Sequence, residues 1–145
     1  MHTYVNTNVL KCAGMKSSSK PFDLELLFRA LADRTRLRLM NLMGNDEVCV
    51  CYFVEVLKTP QPKISRHLAY LRRAGIVGAR REGKWMHYRI IEPKDPRGAK
   101  LLRQIRESIS NDDVMNRDRS KLVKLCCEKT PEHLLDAPRP VTISL

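Results

Sequence analysis

Residues 59–75 read TPQPKISRHLAYLRRAG, and the division of this stretch into an inner and an outer face decides the fold. Prolines at positions 60 and 62 suit the first turn of a helix, where a missing N–H costs no intrahelical bond. Thr59 is placed to cap that helix and Gly75 to stop it. On a helical projection Ile64, Leu68 and Leu71 share one side. Ser65, Arg66, Ala69, Tyr70 and Arg73 lie opposite, with Lys63 and His67 at the margin. Just upstream, YFVEVLK has room for two helical turns at most. A short helix, a tight turn and a second helix with a basic, hydroxyl-bearing outer face form a helix-turn-helix.

Downstream, IVGARREGKWMHYRII predicts two β-prone runs around a Glu82-Gly83 turn, a hairpin wing with Arg80, Arg81 and Lys84 at its tip. Upstream, Leu24, Leu27, Phe28 and Leu31 make one apolar helical stripe. Asp33 can cap a second helix that ends at Gly44, with Leu37 and Met40 inward and Arg34, Arg36 and Arg38 around the outside. Residues 97–110 resume a stripe through Leu101, Leu102, Ile105 and Ile109, which serves either a dimer contact or the core alone. The expected class is mainly α with a small β-hairpin: a homodimeric winged helix-turn-helix. Three segments follow: a flexible, acid-free arm over 1–21 that carries Cys12, a DNA-binding and dimerisation domain over 22–110, and a partly helical tail over 111–145 that frays after Pro131.

The formal charge is +11, and residues 62–91 hold eight Lys/Arg against the single acid Glu82. Charge so concentrated favours a polyanion over a merely solvated surface. No apolar run approaches the ~20 residues that span a bilayer, and the first 15 residues lack the apolar centre of a signal peptide. A cytoplasmic protein with no membrane partner is therefore expected. Five cysteines, an odd number, suggest metal binding or redox sensing before structural disulfides. The four histidines are scattered and no nucleophile–base pair, phosphate loop or acid pair stands out, so an enzyme is not expected.

The stretch EVCVCYF, residues 47–53, sets Cys49 and Cys51 one residue apart at the start of the short helix. Residues two apart in a regular helix point about 200° away from each other, so both thiols can hold one soft ion only where the backbone at Val48–Cys51 is not helical. On that reading, closure on an ion re-forms the backbone leading into the helix-turn-helix. A helix N-terminus also lowers a thiol pKa, which favours the thiolate a metal needs. The alternative is two small core hydrophobes.

In order and spacing, LFRALADRTRLRLMNLM, QPKISRHLAYLRRAGIV and REGKWMHYRI resemble the ArsR/SmtB family of winged-helix metalloregulators over roughly 22–109, and EVCVCYF is similar to the cysteine motif of its arsenic-responsive members. The resemblance implies a homodimeric repressor of double-stranded operator DNA, released when a metalloid binds cysteine thiolates. It also places Gln61, Ser65, Arg66 and His67 at the DNA, in agreement with the projection.

Trivalent arsenic and antimony are thiophilic, so they are the expected inducers, with no organic cofactor. One departure stands out: the family motif's third cysteine falls at residue 54, which is Val54. Two sulfurs suffice for a monomethylated arsenical. Arsenite takes three, and Cys12 from the arm is the candidate third ligand. Cys126 and Cys127 are either a second two-sulfur site or a helix-end pair without a ligand role. GAKLLRQIRESIS has no histidine, which argues against a zinc site there.

For the DNA, Ser65, Arg66, His67 and Tyr70, with Gln61 and Lys63, are expected at base edges, His67 alternatively capping a buried polar group. Lys63, Arg73, Arg80, Arg81 and Lys84 are expected at phosphates. The competing reading is a winged-helix redox sensor in which the same thiols form disulfides. Strain in one-spaced and vicinal disulfides counts against it.

Overall fold

The computed structural model describes residues 21–141. The expected arm, with Cys12, lies outside the described residues apart from its last position, Pro21, and residues 142–145 lie outside them too. Among the described residues the order is α1 (Leu24–Leu31), α2 (Arg34–Met43), β1 (Val48–Cys49), α3 (Val50–Leu57), α4 (Gln61–Arg73), β2 (Val77–Glu82), β3 (Trp85–Ile90), α5 (Pro96–Ser110) and α6 (Asp113–Cys127), then a 3-10 turn over Glu132–Leu134. The winged helix-turn-helix architecture is the one the sequence predicts.

Aspartate side chains start four of these helices. Asp23, Asp33, Asp95 and Asp112 accept from the backbone N–H of Leu26, Arg36, Arg97 and Val114, satisfying donors that have no intrahelical partner. The helix-turn-helix pair lacks such caps. Thr59 does not cap α4; its hydroxyl donates to the Leu57 carbonyl at 3.1 Å. Pro60 is the cap residue, and its carbonyl accepts from Lys63 and Ile64, so the helix starts at Gln61 with Pro62 in its first turn. The turn between α3 and α4 passes through Lys58 in the left-handed region, φ 49°.

The sheet runs in the order β1-β3-β2, antiparallel throughout. Glu82 pairs with Trp85, so the hairpin turn is Gly83-Lys84 rather than Glu82-Gly83. Gly83 supplies the positive φ, 57°, that the first position of such a two-residue loop requires. β1 has no counterpart in the sequence reading. Val48 pairs with Tyr88 and Cys49 with His87, joining the thiol stretch to the wing.

Ile64, Leu68 and Leu71 of α4 are fully buried, as the projection required, beside Leu39, Leu42, Phe53 and Ile76. Each such side chain contributes roughly 1.5–3 kcal/mol relative to exposure. The segment after residue 111 joins this core. Met115 and Leu122 of α6 are buried, and Asp118, 1% exposed, takes a two-pronged ion pair from Arg38 at 2.6 and 2.8 Å. Beyond Pro131, where fraying was expected, Leu134 and Ala137 are buried and the Tyr52 hydroxyl donates to the Ala137 carbonyl at 3.5 Å. Nor do the α2 arginines all lie outside. Arg38 turns to α6, and Arg36, its side chain 13% exposed, folds over the end of α1.

Candidate thiol site and nucleic-acid interface

Cys49 is the last residue of β1 and the cap residue of α3, with extended dihedrals of φ −67° and ψ 142°. Cys51 stands one residue inside the helix. The change from strand to helix between them cancels the divergence a continuous helix would impose, and the Cys51 thiol donates to Cys49 Sγ at 3.0 Å. The non-helical backbone that a shared ion demands is built into the chain. The pairing of β1 with β3 sets the bend between the two cysteines.

Cys49 is fully buried and Cys51 half-buried. The S–H of Cys51 beside it draws the Cys49 thiol down to about 7, helped by the amide N–H groups of Cys51, Val50 and Met86 and opposed by burial. Cys51 moves the other way, because it gives its proton to Cys49, is itself desolvated and sits beside a sulfur that carries the negative charge. Between about 7 and the ordinary thiol value of 9.0 the pair keeps one proton where two isolated thiols would keep two. Two soft sulfurs this close, one ready to ionise near neutrality, suit a thiophilic ion and not a hard one.

Among the described residues no group of three or more His, Cys, Asp and Glu side chains could hold a metal ion. Cys126 and Cys127 do not converge. Cys126 is buried, its thiol pushed up to about 11 by desolvation, while Cys127 is exposed. Consecutive helical residues diverge by about 100°, which favours the helix-end pair without a ligand role.

Along α4, Gln61, Lys63, Arg66 and Arg73 are exposed and Ser65, His67 and Tyr70 are half-buried on the outer face. His67 Nδ1 lies 3.6 Å from Asp33 Oδ1. Its pKa is lowered, first by desolvation and then by neighbouring cations, with Asp33 opposing. Tyr70 carries the guanidinium groups of Arg36 and Arg73 at 4.4 and 4.6 Å from its ring centroid. At the wing, Lys84 stands 4.8 Å over the Trp85 ring and Arg81 donates to the Gly83 carbonyl. Arg80 is held by Glu47 at 2.6 and 2.8 Å and by Glu82 at 3.0 Å.

Sequence reading missed Glu47, which sits two residues before Cys49 and ties the thiol stretch to the wing by side chain as β1 does by backbone. An acid just before the thiols was the only signal. It also missed His87, buried opposite Cys49, whose Nε2 lies 3.2 Å from Glu82 Oε2 without hydrogen-bond geometry.

A helix-turn-helix with a basic outer face, a wing and a thiol pair at its entrance defines a winged-helix DNA-binding regulator. The model of the arsR family of bacterial regulatory proteins matches residues 33–78, from the cap of α2 into β2. An HTH-type transcriptional regulator of Methanocaldococcus jannaschii is 42% identical over 80 residues, which are 54% of this chain and 90% of that one. The arsenical resistance operon repressor of Escherichia coli is 51% identical over 77 residues, 52% of this chain and 66% of that one. HlyU from Vibrio cholerae shares the fold, with a TM-score of 0.52 at 24% identity over 60% of this chain and 91% of that one.

The chain belongs to the arsR family of bacterial regulatory proteins. It is a transcription regulator and not an enzyme. No helix among the described residues is long and apolar enough to cross a membrane.

Proposed function

We propose that this protein is a cytoplasmic, homodimeric repressor that holds double-stranded operator DNA with α4 and the wing and releases it when Cys49 and Cys51 take up trivalent arsenic or antimony. The 3.0 Å approach of the two sulfurs carries this reading. It falls where the chain leaves the strand paired with the wing and enters the helix that packs on α4. The relative that represses an arsenical resistance operon supports the inducer class. A trivalent arsenical supplies a soft centre that takes two or three thiolates. Cys12, from the arm at 1–21 of either subunit, is the third. No organic cofactor takes part.

Base edges are read by Gln61, Ser65, Arg66, His67 and Tyr70, and phosphates by Lys63, Arg73, Arg81 and Lys84, with Arg80 joining them when Glu47 lets go. The dimer surface is α1 with α5: Leu101, Ile105 and Ile109 are half-buried and Phe28 is 51% exposed, an apolar strip that a second copy covers. Residues 22–110 carry DNA binding and dimerisation, and the segment from 111 braces α2 and α3 from behind. A hundredfold loss of operator affinity takes about 2.7 kcal/mol of coupling. Cys49 supplies the path, because loss of the Cys51 proton changes its surroundings while its backbone is laddered to His87 of β3.

Fluorescence anisotropy on operator DNA tests the proposal. Cys49→Ser and Cys51→Ser each keep wild-type affinity and salt dependence, yet neither lets go when a trivalent arsenical is added. Release from both variants sinks the thiol site. Sulfur counting by X-ray absorption on the arsenite-loaded protein falls from three to two in Cys12→Ser, and an unchanged count removes Cys12 from the ligand set.

A further inference from the structure

One side chain joins the end of α1 to the outer flank of α4. Arg36 leaves α2, donates through Nε to the Ala30 carbonyl at 2.5 Å and through Nη2 to the Arg29 carbonyl at 2.8 Å. Both carbonyls belong to the last turn of α1, where helix geometry leaves them without intrahelical partners. The same guanidinium lies 3.7 Å from Asp33 Oδ2 and 4.4 Å from the centroid of Tyr70 on α4. Tyr70 carries Arg73 as well, and Asp33 reaches His67 one turn back along α4. Arg36 thus uses its in-plane donors on one helix and its flat face on another, which a lysine ammonium cannot do.

We infer that Arg36 is a positioning residue that sets the angle between α1 and the recognition helix α4, and so the half-site spacing the dimer accepts. The inference rests on the proposed DNA-binding dimer, in which α1 lies at the subunit boundary and α4 enters the groove. The distance and twist between the two copies of α4 then follow from the α1–α4 angle within each subunit. One base pair of spacer moves a half-site by about 3.4 Å and turns it by about 34°. A clamp whose tightest bond is 2.5 Å and whose side chain is 13% exposed holds that angle against such a change. Arg36 touches no base in this scheme. Tyr70 passes its hold to α4 and presents Arg73 to a phosphate.

The experiment begins with the duplex that the wild-type protein selects from a random-sequence pool, then lengthens and shortens its central spacer by one base pair. Affinities for the three duplexes are measured by anisotropy, with the thermal midpoint of each protein recorded alongside. Wild type loses at least about tenfold on either altered spacer, the size of a poorly met contact in a specific site. Arg36→Lys binds all three within about threefold of one another, because the angle is no longer held. Tyr70→Leu, which leaves the α1 carbonyls capped, lowers all three affinities through its lost base contact but flattens their ratios in the same way, and the double variant flattens them no further than either single one.

A residue that merely supports folding lowers affinity for all three duplexes by one factor. Preserved ratios in Arg36→Lys therefore overturn the inference, as do preserved ratios in Tyr70→Leu. Either result leaves the DNA-binding proposal standing. A wild-type protein that selects no duplex at all overturns both.

Discussion

Changing Cys51 to alanine takes away the one S–H that donates to Cys49, and the consequence can be worked from the site. With the donor present, the Cys49 thiol sits at about 7; its ordinary value is 9.0, and burial alone raises it. The variant keeps the amide N–H groups of Val50, Met86 and residue 51, which offset burial, so its thiol returns towards the ordinary 9.0. At pH 7 the thiolate fraction then falls from about one half towards about one hundredth, up to about a fiftyfold loss of the form that binds a soft ion. Ultraviolet thiolate absorbance reads this directly in a background carrying Cys12→Ser, Cys126→Ala and Cys127→Ser.

The same titration has a sign in stability. Between about 7 and 9 the folded pair has lost a proton that the unfolded chain still holds, so stability rises with pH, by up to ~2 kcal/mol. Above 9 the unfolded chain loses both protons while folded Cys51, its pKa raised, keeps its own, so stability falls. Cys51→Ala removes the rising limb. A wild-type midpoint near 9, or a midpoint near 7 that Cys51→Ala leaves in place, would refute the proton-sharing pair.

Two further outcomes follow from ion pairs that bridge distant parts of the chain. Asp118→Ala strands Arg38, whose side chain is 26% exposed and so reaches water in part. A loss of about 2–3 kcal/mol in urea denaturation is expected, below the full cost of a wholly buried break, and a loss under about 0.5 kcal/mol would detach α6 from the cooperative core. Glu47→Gln combined with Glu82→Gln releases Arg80 from all of the carboxylate contacts that hold it. Two freed arginines per dimer steepen the log–log salt dependence of operator affinity by about 2, and an unchanged slope would mean that Arg80 faces no phosphate.

The recognition helix, the wing and the first two helices were legible because their signals are local. Ile64, Leu68 and Leu71 recur at helical spacing, Asp33 and Gly44 punctuate α2, and β-prone runs flank Gly83. Arg36, Arg38 and Glu47 were not legible as clamps. A projection shows which face is apolar, but a long charged side chain can fold back over either neighbour. Their partners lie elsewhere in the chain, Asp118 being 80 residues from Arg38 and Arg80 33 residues from Glu47. The docking of the tail was hidden likewise. Leu134 and Ala137 sit among prolines and charges that read as loop, yet both are buried in the fold, where Tyr52 of α3 donates a hydrogen bond to the Ala137 carbonyl.

By itself the sequence determined the class of fold, the basic outer face of the recognition helix and the condition the two thiols must meet, because periodicity, capping and residue spacing act over a few residues. The tertiary structure decided that the condition is met. Cys49 is extended because a wing strand nearly forty residues on pairs with it, and Cys51 is helical because α3 has begun at Val50. Pairing between remote strands leaves no mark in local spacing, so the meeting of the sulfurs belongs to the fold and not to the motif.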